Sequence, residues 1–181
     1  MADDRERFEQ LYRENFRPVL RFALARIDPE RAKDVAAETF LVAWRRLDSV
    51  PAEPRLWLLG VARKVIAGQF RSETRRDALV LRLETEQGSS GDADLAGAIA
   101  ARDEVLAAFA ALREPDRELL RLVTWDGLTP VEAAEVLGVT RVAFGVRLHR
   151  ARRRLRDELQ RTDEQKEIPS LNPRRHADAR Q

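Results

Sequence analysis

Cysteine is absent from this 181-residue chain. That excludes a disulfide framework and any thiol-based redox or metal chemistry within it. Histidine occurs only at His149 and His176. The two lie far apart and neither joins a cluster of carboxylates, so no metal site is expected. The glycine loop G-x-x-x-x-G-K-[ST] that cradles phosphates is missing, and the few serines fall in connecting stretches. Without a catalytic constellation, neither a cofactor nor an enzymatic activity is expected. Uninterrupted apolar runs fall well short of the ~20 residues that cross a bilayer. The opening residues, MADDRERFEQ, do not read as a signal peptide. The expectation is a soluble, cytoplasmic protein with no membrane insertion. Alternation of strand type is missing too, which leaves an all-α chain.

Charge, by contrast, is plentiful. Charged residues make up 35% of the chain, yet the net charge is only +2. The balance is local. Residues 1–76 carry 16 basic and 12 acidic side chains, a net +4, while residues 77–100 carry 1 and 5, a net −4. Residues 101–160 carry 11 and 10, and residues 161–181 carry 5 and 4. The whole is no general polycation, so any nucleic-acid surface must be a stripe set against acidic faces.

One stretch, TPVEAAEVLGVTRVAFGVRLHRARRRLR at 129–156, has the local grammar of two helices and a tight turn. Thr129 is a good N-cap, Pro130 suits the first helical position, and Glu132 completes a capping box. Gly138 supplies the turn, and Thr140 caps a second helix. On a wheel of 100° per residue, Phe144, Leu148, Ala151, Leu155 and Leu159 share the face expected to be buried. Val142, Val146, His149 and Arg153 fall opposite. No acid occurs from 141 to 156. Valines beside arginines near a helix N-terminus suit a major groove, with arginines meeting phosphates and valines meeting thymine methyls. That is helix-turn-helix geometry. A basic, solvated helix of an ordinary bundle is the blander alternative.

The remaining periodic segments predict helices over 4–26, 28–47, 54–76 and 95–112, and another beginning at Pro115. Pro18 lies inside the first and predicts a kink. The apolar stripes are Phe8, Leu11, Tyr12, Phe16, Val19, Leu20 and Ala23 on the first, and Ala32, Val35, Ala36, Phe40, Ala43, Trp44 and Leu47 on the second. Gly127, after Trp125 and Asp126, is the expected left-handed residue closing the fifth. The third helix has a second face, on which Gly60, Arg63, Lys64, Ala67 and Arg71 line up. Small residues among basic ones let a polyanion approach the backbone; an ordinary solvated face reads equally well. Glu84 to Asp92 is acidic and rich in Gly and Ser, as a flexible linker would be. The expected organisation is a helical domain at 1–76, a flexible acidic linker at 77–95, a helix-turn-helix domain at 96–160 and a disordered tail at 161–181.

Three motifs together resemble the ECF (extracytoplasmic function) sigma factors of bacterial RNA polymerase, over about residues 8–160. DVAAETFLVAW (34–44) is similar to the family's segment for the polymerase clamp helices. WLLGVARKVIAGQFR (57–71) is similar to the segment that melts and reads the −10 element. The run from LREPDRELL through HRARRRLRDEL (112–159) resembles region 4, which reads the −35 element. The resemblance implies core-polymerase contacts at Asp34, Glu38 and Leu41. It implies −10 contacts at Arg63, Lys64, Ala67, Arg71 and Arg75. It implies −35 contacts at Thr140, Arg141, Val142, Gly145, Val146, Arg147, His149, Arg150 and Arg153. Trp57 is read as core packing rather than a stacking platform. The partners implied are core RNA polymerase, through its clamp helices and flap, and promoter DNA; many relatives also bind an anti-sigma factor.

The chain departs from the family in places. Ala37 stands where Gln is common, and Lys64 and Gly68 where Asn and Asp are. Ala143, Phe144, Gly145 and Val146 replace the commoner T-V-K-S, which removes hydroxyl and lysine donors to DNA. Promoter preference therefore cannot be carried over from better-known members. Two rival readings remain at this stage. One is a helix-turn-helix regulator that binds operator DNA unaided as a dimer. The other is a helical adaptor whose basic faces bind acidic proteins.

Overall fold

Asp28 and Thr129 show how locally this fold is specified. Asp28 accepts a hydrogen bond from the backbone N–H of Arg31 at 3.0 Å, with Pro29 at the first helical position behind it. Thr129 caps the helix that begins at Pro130 in the same way. The computed structural model describes residues 2–77 and 96–167, with side chains for 3–69 and 102–162. Residues 78–95 of the expected linker and 168–181 of the expected tail lie outside the described residues.

The described chain is helical, and no strand occurs among the described residues. The first group of helices is α1 (Ala2–Leu24), α2 (Pro29–Arg45) and α3 (Pro54–Asp77), with a 3-10 turn at Leu47–Ser49 between α2 and α3. These three pack on one another. The second group is α4 (Ala96–Ala111), α5 (Glu114–Thr124), α6 (Pro130–Leu137) and α7 (Arg141–Glu167). Here α4, α5 and α6 each pack on α7. The groups also meet, because α3 packs against α6.

Small side chains let α2 sit close to its neighbours. Ala32, Ala36 and Ala43 are fully buried beside Val35 and Phe40. Thr39 is buried among them, and its hydroxyl donates to the Val35 carbonyl at 2.7 Å, so burial leaves it satisfied. In the second group, Phe144, Leu148 and Ala151 of α7 are buried, as their helical spacing requires. Phe22 and Phe144 are the largest wholly buried side chains, one in each group.

Three expectations change. α1 contains Pro18, as expected, within one continuous helix. Its buried stripe is Leu11, Asn15, Val19, Phe22 and Ala23, so Phe22 joins the core and Tyr12 stays exposed. Trp44 is also exposed, its ring edge-on to Phe8 at 5.0 Å. The cause is shared: Phe8, Tyr12, Phe16 and Trp44 gather around buried Phe40 at the rim of the bundle, where the outer rings are only partly covered. Finally, α7 extends to Glu167, past the point where the tail was expected to begin.

Candidate nucleic-acid and polymerase interfaces

The helix-turn-helix is built by four local devices. The Thr129 Oγ1 accepts from the Glu132 N–H at 3.3 Å, and the Glu132 carboxylate accepts from the Thr129 N–H at 2.8 Å and its hydroxyl at 2.7 Å. These bonds hold the Glu132 carboxyl below its ordinary value, the Thr129 hydroxyl contributing most and the backbone N–H next, with Arg55 nearby. At the other end of α6, Gly138 has φ +66°, a left-handed turn that favours glycine. There the Gly138 N–H donates to the Glu135 carbonyl at 2.9 Å, and the Val139 N–H to that of Ala134 at 3.0 Å. Thr140 Oγ1 then accepts from the Ala143 N–H at 3.2 Å and starts α7. The expected contact residue Thr140 is thus first of all a cap. Gly127, also at φ +66°, closes the turn after α5 as expected.

With Phe144 and Leu148 facing inward, the opposite face of α7 is forced outward. Val142, Gly145, Val146, His149 and Arg153 are exposed there, and Arg141, Arg147 and Arg150 are exposed beside them. Arg152 and Arg156, absent from the expected set, are exposed too. Arg154 is different. Its Nη1 donates to both carboxylate oxygens of buried Asp116 at 2.7 Å, tying α7 to the first turn of α5.

In the first group, Asp34, Glu38 and Leu41 are all exposed on one side of α2. Glu38 shares a groove of about 560 Å³ with Lys64, Trp57, Val61, Val65 and Gln69. The structure therefore brings an expected polymerase contact beside an expected −10 contact. Inside that region the Gln69 Oε1 is buried with no hydrogen-bond partner among the described residues. Lys64 is exposed, Arg63 and Ala67 are half-buried, and Trp57 packs against the core as expected. The side chains of Arg71 and Arg75 lie outside the described residues, although the helix backbone passes through both.

The expected polyanion face of α3 is not free along its whole length. Gly60, Trp57 and Lys64 border a cleft whose other wall is the end of α6, at Glu135, Val136 and Gly138. A Cβ on Gly60 would lie 3.6 Å from the Val136 carbonyl oxygen. At this end the small residue admits α6 rather than solvent. A second contact fastens the two groups. Arg26, just beyond α1, has its side chain 3% exposed. Its Nε donates to Glu118 at 2.9 Å and its Nη2 to Asp126 at 2.6 Å, while Nη1 donates to the Phe22 carbonyl at 2.9 Å. The guanidinium lies 3.5 Å from the centre of the Phe22 ring. No local pattern foretells this cluster, because the partners stand 92 and 100 residues away.

These surfaces define an all-helical protein of two unlike modules, the second carrying a helix-turn-helix. Sigma-70 region 2 matches residues 11–76, and Sigma-70, region 4 matches residues 102–155. The chain belongs to the sigma-70 family and is of the ECF type. It is 30% identical over 140 residues to the "Probable RNA polymerase sigma factor RfaY" of Xanthomonas campestris pv. campestris. That match covers 73% of this chain and 35% of the relative, so this chain spans about a third of that protein. The sigma factor RpoE of Bartonella quintana, solved with the anti-sigma factor NepR, aligns with a TM-score of 0.61 and 24% identity. It covers 84% of this chain and 96% of RpoE. CnrH, solved with the cytosolic domain of CnrY, aligns with a TM-score of 0.54 and 25% identity, over 85% and 88%. No helix among the described residues is long and apolar enough to cross a membrane.

Proposed function

We propose that the chain is the dissociable promoter-specificity subunit of bacterial RNA polymerase, binding the core enzyme and directing initiation at promoters with −10 and −35 elements. The observation that carries the reading is one chain holding two unlike surfaces. One is an acidic and apolar strip on α2 beside a basic helix. The other is a recognition helix with exposed Val and Arg.

Each surface has a task in this reading. Asp34, Glu38 and Leu41 dock on the polymerase clamp, acids pairing with basic residues around an apolar contact. Arg63, Lys64, Ala67, Arg71 and Arg75 track the −10 strand. The groove of Glu38, Lys64 and Gln69 beside them suits an unstacked base. On α7, Val142, Gly145 and Val146 stand where base edges are within reach. Thr140, Arg141, Arg147, His149, Arg150 and Arg153 are placed for phosphates. Core polymerase, through its clamp helices and flap, and promoter DNA are the partners. An anti-sigma factor belongs to the same proposal, since both solved relatives are bound to one or to a cytosolic partner domain. The chain itself brings no catalytic chemistry; the polymerase does.

The double reversal Asp34→Arg with Glu38→Arg tests the docking. It is expected to abolish capture of the chain by core polymerase while circular dichroism shows unchanged helicity. Capture at wild-type strength removes these residues from the interface. A free chain that forms a stable dimer on a palindromic operator would support the self-sufficient regulator instead.

A further inference from the structure

The recognition helix offers methyl groups and bare backbone where base readers commonly offer hydrogen-bond donors. Val142 is 76% exposed, the highest among the large hydrophobic side chains of the described residues, and Val146, one turn on, is 47% exposed. Gly145 lies with them on one face, at the i+3 position from Val142. Glycine is a poor residue for a helix interior, and this one has no structural excuse. A Cβ added at Gly145 would meet nothing within 4 Å. Nor does its backbone need glycine, since the positive-φ glycines are Gly127 and Gly138. Val142 and Val146 lie side by side one turn apart, and Gly145 flanks them with bare backbone. Arg141, Arg147 and Arg150 stand exposed around them.

Only one feature of the major groove is apolar, the C5 methyl of thymine. We propose that α7 reads its promoter element through thymine methyl groups seated against Val142 and Val146, with Gly145 letting the helix backbone approach the base edges. This rests on the reading of α7 as the helix that enters the major groove. Cytosine at the same place presents an amino donor and no methyl. The valine methyls offer that donor no acceptor.

Uracil differs from thymine only by that methyl, so it isolates the contact. Holoenzyme is first used to select a −35 element from random duplexes. Each selected thymine is then replaced by uracil in turn. Binding is expected to weaken about fourfold per contacted methyl, the transfer energy of one buried carbon group, and to stay unchanged elsewhere. Val146→Ser should remove the thymine–uracil difference at its position but keep the salt dependence that the arginines set. Gly145→Ala should raise the melting temperature and yet weaken binding to the selected element. Equal binding of the thymine and uracil duplexes at every selected position overturns the proposal. A holoenzyme with no sequence preference at the element fails earlier. It overturns the placement of α7 in the groove, and the proposal falls with it.

Discussion

Asp116 and Arg154 show what single residues contribute to holding α7 in place. The Asp116 side chain is 7% exposed, while that of Arg154 is 42% exposed. Removing Arg154 strands a buried carboxylate whose remaining cation, Arg113, is 3.5 Å away and largely solvated. Breaking a fully buried pair costs several kcal/mol; because water reaches Arg154, about 2 kcal/mol is expected here. Urea unfolding of Arg154→Ala should register that loss, whereas Arg153→Ala, on the open face, should leave the midpoint in place. Equal stability of the two variants would contradict the distinction. The acid-free run from 141 to 156 made these arginines look alike, and only the packing of α7 on α5 separates them. The buried and open faces of α7 were themselves legible, because helical periodicity alone decides them.

At the scale of elements, the α6–α7 hairpin was the most legible part of the molecule. Its caps and turns are contacts between residues three or four apart, so sequence states them directly. Thr129→Ala is expected to cost about 1 kcal/mol of stability. The Glu132 contribution depends on pH. Its carboxyl is held below its ordinary 4.5, so its stabilisation is fully present above that value. It is lost as pH falls through the lowered folded value. Thermal melts of Glu132→Ala and wild type should therefore differ at pH 7 and converge near the acid end of the carboxylate range. A gap of constant size across that range would show that the carboxylate charge is irrelevant to the cap. Other elements were less legible for reasons of context. Pro18 sits inside an α1 that packing by α2 and α3 supports despite the lost donor. Trp44 continues an apolar stripe, but the bundle ends before covering it.

At the scale of the molecule, the two helical groups are held together, which local sequence rules could not reveal. Long-range charge pairs and the seating of α6 on Gly60 depend on the folded arrangement. The closed form also sets a limit. A compact chain of this length has a radius of gyration of roughly 16 Å. Elements named for positions −10 and −35 lie about 85 Å apart along duplex DNA, at ~3.4 Å per base pair. If the chain reads both elements as proposed, the groups have to part and the Arg26 cluster has to break. Arg26→Ala leaves Glu118 and Asp126 without their shared cation. Small-angle scattering should then give a larger radius of gyration for the free chain at unchanged helicity; an unchanged radius would remove Arg26 from the closure. The same argument predicts that the free chain reads promoters poorly, and that docking on polymerase through α2 makes reading specific. Footprinting one cognate promoter with the free chain and with holoenzyme, at equal concentration and physiological salt, tests this most directly. Protection of both elements by holoenzyme alone is the expected result, and protection of both by the free chain would contradict it.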